Sequence, residues 1–396
     1  MKKLLISAIA VLAVTAVSAQ DEKPNPGAPY VFTEVVDVPA TPVKDQASSG
    51  TCWSFAGIGL IESELLRTGK GEYDLSEMFI ARWCYYDKAV KYVRMHGTIN
   101  FGAGGSTEDV FNVWERYGLV PEEVYSGLQY GSDSHNHSEV DAALTAYVKS
   151  IINGSTLTTA WKDGINGILD AYFGPLPETF TYNGVEYTPK TFAESLGISP
   201  DDYVSFTSYT HHPFYETFIF EVPDNWAWEP SWNVPFEELM QIVDYSLENG
   251  YTVNWGADVS EPGFQTAKGY AVVPTMYVRE KEGTEESRWV PVPTSQQRSM
   301  MANLKEPVDP IEITQEMRQE AFDNYQTTDD HGMLITGIAK DQNGNKFYKV
   351  KNSWGDTGVY HGYFYASWPF VAYKTNQIAV HKNAIPKEIK KKLGIK

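Results

Sequence analysis

Near its C-terminus the chain carries two strand-like runs, His331 to Ala339 and Lys346 to Trp354, separated by Asp341-Gln342-Asn343-Gly344. The Asn-Gly step supplies the residues that a tight hairpin turn requires. An antiparallel hairpin folds the end of the second run back beside the start of the first. His331 and Asn352 are therefore expected at the same end of one sheet, although 21 positions separate them in sequence.

The N-terminal half reads differently. Cys52 to Arg67 has helical character and is closed by Thr68-Gly69, with glycine at the usual stop position. Gly57 and Gly59 inside this helix are locally unfavourable, which points to close packing against another element. Leu75 to Tyr92 and Thr107 to Tyr117 are further helical stretches, the second stopped by Gly118. Residues 131–310 form a long middle region. Within it, Phe236 to Glu248 is a helix stopped by Asn249-Gly250, and the strand-like Tyr251 to Trp255 follows; Lys281 to Ser287 reads as a charged surface turn. Lys387 to Leu393 reads as a basic, partly helical tail.

Hydrolysis of an amide by a thiol needs an accessible thiolate, a base within hydrogen-bond reach, a group that orients the base, and donors for the oxyanion. Cys52 opens a helix, where free N–H groups and the helix dipole favour a thiolate. His331 can act as its partner, Asn352 can fix the imidazole without adding charge, and the side-chain amide of Gln46 can face the oxyanion. Taken singly, each of these residues has a duller structural reading, and the chemistry rests on their meeting in space. Other catalytic signatures are missing: there is no His-Glu-x-x-His metal site and no Gly-x-Ser-x-Gly elbow. His135 with His137, and His211 with His212, read as residues of solvated loops. No metal and no cofactor is expected.

Met1-Lys2-Lys3 followed by the apolar Leu4 to Val17 and by Val17-Ser18-Ala19 has the pattern of a cleavable export signal, residues 1–19. The apolar run is shorter than the roughly 20 residues of a spanning helix, so no membrane anchor is expected. Export to the periplasm or the extracellular space is the expectation. An exported chain can pair its cysteines, but Cys52 is a poor choice for a bridge, and Cys84 is the other of only two. A formal charge of −19 argues against nucleic-acid and anionic-membrane partners.

Lys44-Asp45-Gln46-Ala47-Ser48-Ser49-Gly50-Thr51-Cys52-Trp53-Ser54-Phe55-Ala56 closely resembles the active-cysteine segment of the papain family. Asp330-His331-Gly332-Met333 resembles its histidine segment, and Val350-Lys351-Asn352-Ser353-Trp354-Gly355 its asparagine segment. The resemblance implies an α+β papain-like fold. In it a helical subdomain (about 41–130) and an antiparallel β subdomain (about 311–386) flank a cleft, with an insertion at about 131–310 and a short tail at 387–396. It implies Cys52, His331, Asn352 and Gln46 as catalytic residues. Gly104-Gly105 resembles the paired glycines that line the substrate cleft, and Trp354 the tryptophan that shields the histidine–asparagine hydrogen bond; both are grouped with the substrate contacts. Peptides are the implied substrates.

The 279 positions from Cys52 to His331 exceed the roughly 130–150 of the papain signature. The middle region resembles that of bleomycin hydrolase and bacterial aminopeptidase C. The matching runs are Tyr117 to Pro121, Asn233 to Leu239, Gly256 to Val259 and Ile385 to Glu388. That branch implies an aminopeptidase, with a homo-oligomer, a hexamer in relatives, as a further expectation. Ser49 stands where many relatives have a bridging cysteine. In the branch a C-terminal arm enters the cleft, but here only ten residues follow Pro386, spanning about 33 Å if fully extended. Endopeptidase action is therefore the alternative, and an inactive peptide-binding protein the alternative of another class.

Overall fold

The computed structural model of the chain describes residues 22–25, 27–129, 131–273 and 294–395. The signal-like residues 1–19 and the Lys281 to Ser287 turn lie outside this set.

Five helices build the first layer: α1 (Cys52–Arg67), α2 (Glu77–Arg94), α3 (Thr107–Tyr117), α4 (Ser138–Ile151) and α5 (Ala160–Phe173). α1 and α3 have the bounds read from the sequence. α2 begins two residues later than expected, because the Ser76 hydroxyl accepts the Phe79 N–H and caps the helix there. α1 is buried along almost its whole length. A Cβ on Gly57 would lie 2.6 Å from Val110 Cγ2, so the missing side chain lets α1 and α3 approach. Ile58, Ile61, Phe79, Val110 and Leu169 are among the residues of the helical core.

The second layer is a large mixed sheet. Its strands are β1 (Glu22–Pro24), β2 (Val31–Asp37), β5 (Tyr203–Thr207), β6 (Thr217–Ile219), β7 (Pro230–Asn233), β8 (Val253–Ala257), β9 (Phe264–Gln265), β10 (Tyr270–Ala271), β11 (His331–Lys340), β12 (Lys346–Lys351), β13 (Tyr363–Ser367) and β14 (Thr375–His381). A separate hairpin holds β3 (Phe180–Tyr182) and β4 (Val185–Tyr187). The main order is β6-β7-β5-β14-β8-β11-β12-β13-β10-β9. The β11–β12 hairpin forms as expected, with Leu334 opposite Lys351 and Lys340 opposite Lys346. The other edge of β11 is shared: its first half pairs with β8 and its second half with β2. β11 is buried on both faces over most of its length, as a central strand must be.

The middle region does not form a lobe of its own. α4 and α5 contribute Leu144, Val148, Ile165 and Leu169 to the helical core. β8 lies between β14 and β11, in the centre of the sheet. α6 (Pro189–Ser195) belongs with the helical layer, whereas α7 (Phe236–Glu248) packs Leu239, Ile242 and Val243 into the sheet core. The expected insertion at about 131–310 therefore contains strands that the sheet cannot close without. The remaining described helices are α8 (Thr294–Ala302), α9 (Gln315–Asp323), α10 (Trp368–Lys374) and α11 (Lys387–Leu393). The tail helix α11 buries Ile389 and Leu393 in the same core as α7, and Lys392 pairs with Glu238. Gly394 ends it in the left-handed conformation.

Candidate active site

The site forms where the start of α1 meets the start of β11. Gly332 makes the approach possible: a Cβ there would stand 3.1 Å from Trp53 Cα and 3.4 Å from the Cys52 carbonyl carbon. Cys52 and His331 both line the cleft between the two layers, with Trp53, Gly105, Thr107, Asn254 and Gly256. The backbone N–H groups of Gly332 and Trp53 are directed at the Cys52 thiol.

His331 Nε2 lies 2.7 Å from Asn352 Oδ1. The same oxygen accepts the Ser353 N–H at 2.8 Å, which settles which end of the amide faces the ring. Nε2 is therefore the protonated nitrogen of the neutral imidazole, and Nδ1 keeps the lone pair. Trp354 stacks on the imidazole with ring centroids 4.8 Å apart, and Phe264 packs edge-on against Trp354. His331 and Asn352 are both buried.

Gln46 is tied to the same corner. Its N–H donates to the Ser353 carbonyl, and the Ser353 hydroxyl donates to Gln46 Oε1 at 2.7 Å. With Oε1 occupied, the side-chain NH₂ group is the free end. The hairpin thus brings His331, Asn352 and the Ser353 anchor of Gln46 to one end of the sheet.

A profile described as "Papain family cysteine protease" matches residues 33–166, and one described as "Peptidase C1-like family" matches residues 302–395. The two matches carry Cys52 on one side and His331 and Asn352 on the other. Aminopeptidase C of Lactococcus lactis is 24% identical over 89% of this chain and 83% of that protein. "Cysteine proteinase 1, mitochondrial" of Saccharomyces cerevisiae is 23% identical over 97% of this chain and 82% of its own length. The crystal structure of PepW from Lactobacillus rhamnosis superposes with a TM-score of 0.67 at 19% identity, over 91% of this chain and 84% of that one. The chain is a papain-like cysteine peptidase.

The electrostatics of this peptidase differ from the expectation of a depressed thiol. Cys52 keeps part of its surface open to the cleft, yet burial pushes its thiol up to about 11. The N–H groups of Gly332 and Trp53 oppose the rise, while Asp329 and Asp224 add to it. Burial likewise brings His331 down to about 4 against the Asn352 hydrogen bond. Each shift disfavours one charge. Moving the proton from Cys52 to His331 creates both charges together, and their attraction in a poorly solvated site offsets part of that cost.

Several expectations are corrected by the geometry. Trp354 does not line the cleft; it covers the back of the His331 ring, the shielding position. Gly105 lines the cleft, but Gly104 is covered by Asp224, whose Oδ2 would lie 2.0 Å from a Cβ at that position. Cys52 and Cys84 are both free, in line with the expectation of no bridge between them, and Cys84 is buried inside α2. His137 is buried rather than in a solvated loop, within 3.1 Å of the Tyr85 hydroxyl. His211 and His212 do meet a carboxylate: Glu221 lies 3.1 Å from His211 and 3.5 Å from His212. These three are the residues, among those described, whose geometry is open to a metal ion. Sequence reasoning missed Asp224, Asn254, Asp329 and Gln377, all of which line the cleft. Asp329 lies two residues before His331, and that proximity was the one usable signal.

Proposed function

We propose that this peptidase is an exported aminopeptidase, with Cys52 as nucleophile and His331 as base. In this reading, His331 Nδ1 takes the thiol proton as sulfur attacks the carbonyl carbon. The NH₂ group of Gln46 and the Cys52 N–H meet the oxyanion. The imidazolium then gives its proton to the departing amine, and water, deprotonated by the same nitrogen, releases the acyl group. The observation that carries the reading is the His331–Asn352 hydrogen bond of 2.7 Å under Trp354, on the wall facing Cys52. Without Asn352 the ring would be free to turn its lone pair away from the thiol.

Release of N-terminal residues is supported by the similarity to the aminopeptidases C over most of the chain. Export is supported by the signal-like residues 1–19. One observation favours the endopeptidase alternative: none of the described tail residues lines the cleft, because α11 is docked on α7. The Cys52→Ser variant tests the nucleophile. It is expected to keep the fold and to lose turnover of aminoacyl-coumarin substrates, since an alcohol is a poor nucleophile beside this base. Retention of most of the activity would remove Cys52 from the mechanism.

A further inference from the structure

The docked tail leaves open what meets the free amino group of a substrate and what blocks the cleft beyond it. The segment at 220–225 contributes Phe220, Val222, Asp224 and Asn225 to the cleft wall. This wall is held firmly. Asn225 Nδ2 donates to the carbonyls of Phe220 and Glu229 at 3.0 and 2.9 Å, and its Oδ1 accepts the Glu229 N–H. The next residue, Trp226, is buried and donates its indole N–H to Asp109.

Two carboxylates face the space in front of this wall. Asp224 lies against Gly104 and accepts from Asn100 Nδ2 at 3.0 Å through Oδ1, leaving Oδ2. Asp329 lines the same cleft, and among the described residues no hydrogen bond or ion pair reaches it. Its charged neighbours are all acidic: Asp224, Asp330 and Glu108. The nearby cation, Lys88, is committed to the carbonyls of Gly102 and Gly104. Asp330 is already satisfied by Thr328 and by the N–H groups of Val259 and Ser260. Lys88 and Asn100 offset part of the burial of Asp224, whereas nothing among the described residues offsets that of Asp329, and a carboxylate in that position favours a bound cation.

A second observation points to a ligand at the same place. Asn254 is 2% exposed and lines the cleft. One end of its amide meets the Thr107 hydroxyl at 2.5 Å, and the other end has no partner. The hydroxyl can donate or accept, so the amide can turn over and offer its oxygen to the cleft. Two carboxylates and one amide oxygen match the three hydrogen atoms of an ammonium group.

We propose that Asp329 and Asp224, completed by Asn254, anchor the free α-ammonium of the peptide substrate, with the 220–225 segment as the wall that stops a longer chain. The assignment rests on the aminopeptidase reading and supplies from the middle region what the tail does not. The competing occupant is a lysine or arginine side chain of a longer, internally cleaved peptide.

The test compares leucyl-aminomethylcoumarin, its acetylated form, acetyl-Lys-Leu-aminomethylcoumarin and acetyl-Ala-Leu-aminomethylcoumarin on the wild-type protein, Asp329→Asn and Asp224→Asn. Alkylation of Cys52 by iodoacetamide reports that the site is intact. Each substitution is expected to lower kcat/KM for the free-amine substrate roughly 10²-fold, mainly through KM. The acetylated substrates should lose less than about twofold, and alkylation should hold or quicken, because Asp329 and Asp224 both push the Cys52 thiol up. Equal losses on free and blocked substrates, or none, would overturn the anchor while leaving an aminopeptidase in place. A wild-type protein that prefers acetyl-leucyl-aminomethylcoumarin overturns the aminopeptidase reading itself. A preference for acetyl-Lys-Leu over acetyl-Ala-Leu that vanishes in Asp329→Asn would assign the carboxylates to a basic side chain and overturn the ammonium anchor.

Discussion

Gln46 shows how one hydrogen bond gives a side chain a direction. The Ser353 hydroxyl holds Oε1, so the NH₂ group has one way to point. If that group donates to the oxyanion, it acts on charge present only in the transition state. Gln46→Ala is then expected to lower kcat roughly 10²-fold with little change in KM, measured by steady-state kinetics. A change in KM alone would make Gln46 a binding residue. Asp329 adds a pH dependence. Burial, followed by Asp224, Asp330 and Glu108, raises its carboxyl to about 7. Below that pH it is protonated and cannot pair with an ammonium. Activity on free-amine substrates should therefore fall as pH drops through about 7. Above about 8 the substrate amine loses its own proton. The predicted kcat/KM profile is a narrow bell, and Asp329→Asn should remove its acid limb. His331, brought down to about 4, is neutral throughout this window and contributes no limb there.

Among the elements, α1 shows what local sequence can and cannot reveal. Its bounds follow from its composition and from Thr68-Gly69, and the β11–β12 hairpin follows from Asn343-Gly344. Cys52, His331, Asn352 and Gln46 were legible because local motifs carry them. The pairing of β8 with β11 was not legible, since it joins His331 to Ala257 across a long stretch of chain. Asp224 was missed for the same reason: only the approach of its loop to Gly104 makes it a cleft residue. Also hidden in the sequence was the support beneath α1. Glu62, fully buried on α1, accepts from Lys44 at 2.9 Å and from the Thr41 hydroxyl, and Lys44 also pairs with Glu77 at 2.8 Å. Lys44→Ala would take the ion-pair partner from two buried carboxylates and leave Glu62 only the Thr41 hydroxyl and the Leu75 N–H. A loss of about 3–5 kcal/mol is expected in urea unfolding. A loss below about 1 kcal/mol would mean that water compensates them.

For the whole molecule, the middle region and the tail complete the papain-like frame rather than decorate it. α11 holds Ile389 and Leu393 in the sheet core, and burial of two such side chains contributes about 3 kcal/mol or more. Deleting residues 388–396 is expected to lower thermal stability by that order. It should leave the preference for free over acetylated substrates unchanged, as measured by paired kinetics. A shift toward blocked substrates would mean that the tail enters the cleft after all. In the proposed reaction, Cys52 and His331 cut peptides from a free N-terminus in a cleft closed by the 220–225 wall. Mass spectrometry of a ten-residue peptide during digestion reads the direction of cutting. A ladder of fragments shortened one residue at a time from the N-terminus is expected, with no ladder when that terminus is acetylated or when Cys52 is serine. Early internal fragments from the acetylated peptide would contradict this reaction.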